Sequence, residues 1–259
     1  MDRLRWKIEG HVTVGTYSVP SVENASTGGV WLVGIRPDSA RAARLKRLVW
    51  PLVKLRDDLL VDGFIEWVVG KWIRDAATAA TTFLEIGCGD MSLSRFLRDD
   101  VCYNAFDVSL SEFHLVRLLR RRPSSNIAIA SVTEIPLESQ VASLIVSTQV
   151  LEYVQEIDRA LEEIYRIATP GAKFVCSIAN GHSIKYRVKG VHPGHVNRWT
   201  YRSFCDLMAT HKFRLLEGLM SGFWIPLPSV ITRTSYALPI SAHEEANNTH
   251  FLFMFEIEK

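Results

Sequence analysis

The chain has 259 residues, 47% of them hydrophobic and 22% charged, with a formal net charge of +2. This composition is that of an ordinary globular protein, and the charge is too small to argue by itself for a nucleic-acid partner. No apolar run reaches the roughly 18 residues of a spanning helix, and the first residues lack the apolar core of a signal peptide. The four cysteines form no CxxC pair, which favours reduced thiols and a cytoplasmic location.

Residues 1–80 lie outside the strand–helix alternation of the rest of the chain and are predicted to form an N-terminal extension. Trp6–Tyr17 and Val30–Ile35 have the pattern of two hairpin strands, and Asp57–Ile73 has that of a helix. We expect this extension to cover a binding site or a sheet edge of the main domain, which spans residues 81–259.

Ser39–Arg56, within this extension, is basic and amphipathic, with six Lys or Arg residues among Leu, Val and Trp. Three interpretations stay open, in decreasing order of preference. The segment is a solvated helix face, or it makes peripheral contact with a membrane surface or a lipid-linked ligand, or it binds nucleic acid.

Short apolar strands alternate with amphipathic helices between residues 82 and 180. Such alternation predicts βαβ units with right-handed crossovers, and therefore a parallel sheet with helices on both faces. The predicted strands are Phe83–Ile86, Cys102–Phe106, Ile127–Ala130, Ser143–Thr148 and Lys173–Ala179. The predicted helices are Ser92–Arg98, Leu110–Arg121 and Ile157–Ala168.

The pattern changes after residue 180. Gly181–Asn197 is rich in Gly, His, Lys and Arg and is predicted to be a loop, and Tyr201–His211 is predicted to be a helix. Phe213–Leu219 and His250–Glu256 are predicted strands that pair antiparallel at the sheet edge. The expected fold is therefore a doubly wound α/β domain with a seven-stranded, mostly parallel sheet.

The segment Thr82–Asp90, TFLEIGCGD, is the most informative part of the sequence because a short apolar strand runs into a glycine turn. Glycine lets the backbone approach a ligand closely at the carboxyl end of a parallel strand, where open α/β sheets bind nucleotide-like molecules. Glu85 precedes the turn and no Lys lies in it. The expected ligand is therefore nucleoside-like but not rich in phosphate.

Further motifs lie at regular places around this turn. Glu85-Ile-Gly-Cys-Gly89 resembles an E-x-G-x-G motif, and Asp107 closes the next strand 20 residues after Gly87. Ser131–Pro136, Gln149–Val154 and Thr169–Ala172 match three later elements of the same pattern. From about Asp62 to Lys259 the chain resembles the class I S-adenosylmethionine-dependent methyltransferases, in particular the small-molecule group with the ubiquinone- and menaquinone-type enzymes.

This resemblance implies that S-adenosylmethionine is the cofactor and that the protein is an enzyme. The methionine part of the cofactor would lie against the glycine turn, and the Asp107 carboxylate would accept two hydrogen bonds from the cofactor's ribose diol. The implied cofactor-binding residues are Glu85, Gly87, Cys88, Gly89, Met91, Asp107, Val108, Ser131, Val132, Thr133 and Gln149.

Two positions depart from the family pattern. Met91 stands where the family has its third glycine, and Ser131 stands where it has an adenine-contacting Asp. A side chain at position 91 is expected either to crowd the cofactor pocket or to cap its methionine end. Ser131 can still hydrogen-bond an exocyclic amine, but without the strength that a charged carboxylate gives. Both changes are expected to weaken cofactor binding.

His195, Glu152 and Tyr153 are the candidate catalytic residues. His195 follows the fifth strand, in the segment that overlies the acceptor in similar enzymes, and an imidazole is suited to removing a hydroxyl proton near neutrality. Glu152 and Tyr153 follow the fourth strand, near the expected position of the reacting methyl group. The structural alternatives are a surface-loop histidine, as for neighbouring His192, and a structural carboxylate. No metal site is evident from ligand spacing.

The predicted function is transfer of a methyl group from S-adenosylmethionine to a small-molecule, lipid-linked or sugar acceptor, with a hydroxyl oxygen as the favoured atom. The alternative is a non-catalytic, methyltransferase-like interaction or regulatory module. No nucleic-acid partner is expected, because Ser147-Thr-Gln stands where enzymes that methylate base amines carry an Asn/Asp-Pro-Pro-Tyr/Phe motif. The expected location is cytoplasmic, with peripheral membrane contact through residues 39–56 left open.

Overall fold

The computed structural model describes residues 4–7, 10–14, 17–21, 61–78, 80–225, 236–238 and 241–259. Within these residues one mixed sheet contains ten strands. In chain order they are β1 (Gly10–Val14), β2 (Tyr17–Ser21), β3 (Phe83–Ile86), β4 (Asn104–Asp107), β5 (Asn126–Ile129), β6 (Ala142–Thr148), β7 (Ala168–Ala179), β8 (Phe213–Ile225), β9 (Tyr236–Leu238) and β10 (Asn248–Ile257). Their order across the sheet is β1-β2-β5-β4-β3-β6-β7-β10-β8-β9.

The central seven strands confirm the predicted fold. β5, β4, β3, β6 and β7 are parallel neighbours, and β10 lies antiparallel between β7 and β8. The apolar run of β3 is buried along its whole length, as expected for a parallel strand covered on both faces. Three further strands extend the sheet, the β1–β2 hairpin beside β5 and β9 beside β8.

Helices cover both faces of this sheet. They are α1 (Val61–Ala76), α2 (Glu112–Arg121), α3 (Ile157–Ile167), α4 (Ile184–Lys189) and α5 (Tyr201–Thr210). Ile164 of α3 and Phe204 of α5 belong to one apolar cluster, and Val69 of α1 and Leu115 of α2 belong to the other. The two clusters lie on opposite sides of the strands because side chains alternate along each strand. No helix within the described ranges is long and apolar enough to cross a bilayer.

The N-terminal hairpin is formed by other strands than those predicted. Val14 pairs with Tyr17, so the hairpin folds back within the stretch that was predicted to be its first strand. The other predicted strand, Val30–Ile35, and the basic segment Ser39–Arg56 lie outside the described residues. The hairpin joins the sheet through the pair Ser21–Ile129.

Other elements also differ from the predictions, among them β7, which begins at Ala168 instead of Lys173. The expected helix from Ser92 is a short 3-10 helix, Ser92–Phe96, because the Ser94 hydroxyl donates to the Met91 carbonyl oxygen at 2.7 Å and competes with α-helical bonding. The expected loop after β7 contains α4. β8 continues past Leu219 to Ile225, since pairing with β10 and β9 outweighs the low strand propensity of its glycines.

The parallel strands β3, β4, β5, β6 and β7 all end at the same edge of the sheet. The glycine turn, Asp107, Ser131, Gln149 and Asn180 therefore come together there, although they are far apart in sequence. This is the edge at which open α/β sheets bind ligands.

Candidate functional site

The glycine turn after β3 is fixed by backbone hydrogen bonds to the neighbouring strand. Gly87 has φ 69°, and its N–H donates to the Phe106 carbonyl oxygen at 2.9 Å. A Cβ placed on Gly87 would lie 2.2 Å from Cγ2 of Val150. Only glycine therefore satisfies both the dihedral angle and the space at this position. The same close approach places the segment after β6 directly beside the turn.

Gly89 presents an open backbone surface at the tip of the turn. Its φ is 43°, it is exposed, and no atom lies within 4 Å of an added Cβ. Its N–H donates to Asp107 Oδ2 at 2.9 Å, while Asp107 Oδ1 accepts from the Ser109 N–H at 3.1 Å. Val108, between Asp107 and Ser109 in the sequence, is half-buried. Asp107 thus ties the two loops together and retains lone pairs for a ligand.

Burial raises the pKa of the Asp107 carboxyl, and the backbone N–H groups of Gly89, Ser109 and Val108 oppose that shift. These donors favour the charged form of the carboxylate. A carboxylate that is held in place and partly desolvated forms stronger hydrogen bonds to a diol than one in water.

Glu85 and Cys88 lie beneath the turn rather than at its surface. The Tyr103 hydroxyl donates to Glu85 Oε2 at 2.6 Å, and burial raises the pKa of that carboxyl well above its ordinary value. Burial likewise raises the pKa of the Cys88 thiol well above its usual range. Both side chains are enclosed by protein, so a ligand would meet this part of the turn through its backbone groups.

Met91 adopts the conformation of the glycine that it replaces. Its φ is 59° and ψ is 27°, in the left-handed region, and its side chain is only 2% exposed. The side chain belongs to the apolar cluster that contains Val69 and Leu115. Met91 therefore packs into the core of the domain, at a conformational cost of about 1–2 kcal/mol for a non-glycine residue.

We expect Met91→Gly to lower the free energy of unfolding by about 2 kcal/mol, because the lost apolar burial exceeds the relieved backbone strain. Urea denaturation measures this change. Gln140→Gly is the matched control, since Gln140 has φ 58° but is exposed and loses no buried side chain. Stabilisation of both variants by the same amount would contradict the core role of Met91.

The loop after β5 is closed by its own side chains. Ser131 Oγ lies 2.8 Å from Thr133 Oγ1 and accepts from the Thr133 N–H at 3.2 Å, and Val132 between them is buried. After β6, Gln149 has φ 55°, and its N–H donates to the Ser177 carbonyl oxygen at 2.8 Å. Both loops lie at the ligand-binding edge, and contact of their side chains with the cofactor stays a prediction.

Glu152 is buried close to the glycine turn, two residues after Val150. The residue is 1% exposed, its Oε1 accepts from the Ala179 N–H at 3.1 Å, and its buried Oε2 has no hydrogen-bond partner among the residues that the structure describes. Burial raises its pKa to about 7, while hydrogen bonds from its own N–H and that of Ala179 lower it. Buried carboxyl oxygens normally have partners, so an unsatisfied one with a raised pKa marks a candidate functional group.

Tyr153 and His195 are in direct ring contact. Their centroids are 4.6 Å apart in an edge-to-face arrangement, and Tyr186 of α4 and His192 complete a cluster around His195. Burial lowers the pKa of His195 to about 4, with smaller contributions from His192, Lys185 and Arg198. The three predicted catalytic residues are therefore brought together. At neutral pH, however, His195 is an uncharged and weakly basic imidazole.

His250 of β10 was not predicted as a site residue from the sequence, because it lies within a strand. It pairs with Ala179 of β7 and Ser221 of β8, is buried, and has Nδ1 2.8 Å from Thr249 Oγ1. Burial lowers its pKa to about 3, with contributions from Lys185 and His195, so it belongs to the same cluster. The available signal was a histidine at the end of an otherwise apolar run.

Three further aromatic or histidine side chains, in the region after β7 and on α2, pack against neighbouring side chains or are buried in the fold. Trp199 packs edge-to-face on Phe204, Trp224 is buried in β8, and His114 contacts Phe113 on α2. Within the described ranges, no group of three or more His, Cys, Asp or Glu side chains is arranged to hold a metal ion.

The residues of this edge fit S-adenosylmethionine. Gly89 offers an unobstructed backbone surface, and Asp107 is an immobilised acceptor at the position expected for a ribose diol. The bound cofactor supplies an electrophilic methyl group on a sulfonium. Glu152 and Tyr153 follow Val150 in the chain, and the ring of His195 contacts that of Tyr153.

Comparisons with known proteins agree with this geometry. A family model described as a methyltransferase domain matches residues 84–176. The malonyl-[acyl-carrier protein] O-methyltransferase of Enterobacter lignolyticus is 27% identical over 152 residues, 57% of this chain and 57% of that protein. The mitochondrial arginine-hydroxylase NDUFAF5 of Mus musculus is 27% identical over 113 residues, 43% of this chain and 33% of that protein.

Among solved structures, the N-methyltransferase NodS of Bradyrhizobium japonicum, in complex with S-adenosyl-L-homocysteine, has a similar fold. Its TM-score is 0.55 at 15% identity, with 78% of this chain and 90% of that chain covered. The chain spans 57% of the length of the O-methyltransferase relative and 33% of that of the arginine-hydroxylase relative. Residues 84–176 therefore match a methyltransferase domain, and the fold is similar to that of S-adenosylmethionine-dependent methyltransferases of known structure.

Proposed function

We propose that the protein transfers a methyl group from S-adenosylmethionine to a hydroxyl oxygen of a small-molecule, lipid-linked or sugar acceptor. The observation that carries the choice of oxygen is Glu152. A hydroxyl must lose its proton as the new bond to carbon forms. A buried carboxyl with a pKa of about 7, and with an Oε2 that no described residue hydrogen-bonds, is matched to that task near neutrality.

The neighbouring residues have supporting roles in this proposal. The exposed ring of Tyr153 and the imidazole of His195, at 4.6 Å, form an aromatic wall next to Glu152. An uncharged His195 can align an acceptor by hydrogen bonding without adding positive charge near the sulfonium. Rate enhancement comes mainly from holding the reactants in line and from excluding water.

Cofactor binding and methyl transfer are tested separately. Calorimetric titration of the full chain with S-adenosylmethionine should give saturable binding, and its absence at millimolar ligand would contradict the enzyme function. Methyl-labelled S-adenosylmethionine is then offered with a quinol, a polyprenyl-linked sugar and a free sugar. Label in an alkali-stable ether is the expected result, whereas label in an amine product would contradict oxygen as the acceptor atom.

The labelled methyl group must itself be followed, because one relative is named as an arginine-hydroxylase. Fold alone does not fix the reaction. Binding of S-adenosylmethionine without label transfer to any acceptor would favour the alternative, a methyltransferase-like regulatory module.

A further inference from the structure

The segment between β7 and α5, which contains His195, forms a closed loop beside Glu152. Its ends meet, since Asn180 and Trp199 form a parallel bridge and a Cβ on Gly181 would lie 2.7 Å from Cβ of Arg198. Its last part is held against the segment after β6 by the Asn197 N–H, which donates to the Glu152 carbonyl oxygen at 3.1 Å. We name residues 182–198 the basic loop.

The basic loop has a one-sided charge. It contains four Lys or Arg residues, three histidines and no Asp or Glu. Arg187, Lys189 and Arg198 are exposed, and none of them forms an ion pair with a carboxylate in the described part of the chain. Lys185 and Arg198 both lower the pKa of His195, which places their charges next to the proposed acceptor site.

Apolar side chains are exposed among these charges. Val188 is 66% exposed, Val196 is 55% exposed and Ile184 is 38% exposed. Ile184 and Val188 are four residues apart on α4 and therefore share one face of that helix. Exposed aliphatic residues interleaved with Lys and Arg are characteristic of segments that lie on anionic lipid surfaces.

We propose that the basic loop docks the protein onto an anionic lipid surface, so that a lipid-borne acceptor enters beside Glu152. The charge complementarity of the three exposed cations Arg187, Lys189 and Arg198, together with the exposed aliphatic side chains, carries this choice of partner. The inference rests on the proposed function for the position of the acceptor. It differs from contact through residues 39–56, because it assigns the contact to a surface adjoining the site.

Co-sedimentation of the full chain with vesicles tests the proposal. We expect the protein to bind vesicles of phosphatidylcholine with roughly 30% phosphatidylglycerol, a composition that imitates an anionic membrane surface. We expect little binding to vesicles of pure phosphatidylcholine. Arg187→Gln with Lys189→Gln should weaken the partition coefficient roughly thirtyfold, which corresponds to about 2 kcal/mol for two lost charges. Val188→Ser should weaken it further.

Arg120→Gln with Arg121→Gln is the matched control, since these residues are an exposed basic pair on α2. The control should bind vesicles as the wild type does. No binding of the wild type to anionic vesicles would overturn the proposal in favour of an acidic protein partner. An equal loss in the control would also overturn it, as would a loss caused only by neutralising Arg41, Arg44 and Arg47.

The same samples are titrated with S-adenosylmethionine. The Arg187/Lys189 variant should bind the cofactor like the wild type, because both side chains are exposed and lie outside the cofactor edge. Failure of the docking proposal would leave this binding intact, whereas failure of the proposed function would appear as absent cofactor binding in every variant.

Discussion

Replacing Asp107 by alanine is expected to weaken S-adenosylmethionine binding roughly hundredfold, which corresponds to about 3 kcal/mol. The carboxylate is the charged acceptor at the end of β4, and two hydrogen bonds from a ribose diol would be lost with it. The variant should also be less stable by about 1–3 kcal/mol, because the N–H groups of Gly89 and Ser109 lose their acceptor. Calorimetry measures the first effect and urea denaturation the second.

Asp107→Asn separates the two effects. Asparagine keeps the shape of the side chain and one acceptor oxygen, so the turn should remain in place while the charge is lost. We expect intermediate binding and near-normal stability for this variant. Asp100→Ala is the control, since Asp100 is exposed and pairs with Arg98 away from the edge. Unchanged cofactor affinity in both Asp107 variants would show that this carboxylate does not hold the ribose.

The parallel part of the fold could be predicted because its signals are local. β3, β4, β5 and β6 are apolar runs that end in turn residues, and their predicted ends fall within about two residues of the observed ones, the usual uncertainty of such boundaries. The hairpin and the full length of β8 depend instead on pairing partners distant in sequence. His250 lies opposite Ser221 through such a contact, and the local sequence shows only a histidine beside an apolar run.

The site was predictable where a residue type is dictated by backbone geometry. Glycine is required at position 87 because φ is 69° and because a side chain there would collide with Val150. Asp107 could be predicted as a ligand-binding residue because it closes a parallel strand. Met91 could not be interpreted from sequence, because its effect depends on whether the side chain points into the core or the ligand cleft. The protonation of Glu152 and His195 depends on burial, which only the packed structure supplies.

Burial also changes the assignment of the base within the predicted trio. An imidazole with a pKa near 4 holds a transferred proton poorly at neutral pH, whereas a carboxyl with a pKa near 7 holds it well. Under the proposed function, Glu152 is therefore the better-matched base, and His195 is a neutral neighbour that would align the acceptor.

Glu152→Gln should remove a pH dependence of stability. The folded-state pKa of Glu152 is raised from its ordinary value of 4.5 to about 7, so the folded protein holds this proton more tightly than the unfolded chain. Its contribution is fully present below pH 4.5 and is lost as the pH rises through 7. Between pH 5 and pH 8 the free energy of unfolding of the wild type should fall by about 2.5 kcal/mol relative to that of Glu152→Gln. Urea denaturation across this pH range measures the difference.

Comparison with the variant isolates Glu152 from other buried groups. The lowered pKa values of His195 and His250 make stability rise with pH over the acidic part of this range, and this opposite trend cancels in the difference. Parallel stability curves for the two proteins would show that Glu152 ionises normally in the folded state.

Turnover distinguishes a base from a merely structural carboxyl. With the best acceptor of the labelled panel, wild-type turnover should rise with pH through about 7 as Glu152 ionises. Glu152→Gln should lower it by roughly 10²- to 10⁴-fold and abolish that inflection, with cofactor binding retained. His195→Asn, which keeps a hydrogen-bonding group, should reduce turnover less and leave the inflection in place. If the inflection followed His195 instead, the imidazole would be the base, and the carboxyl would serve only to anchor the strand end at Ala179.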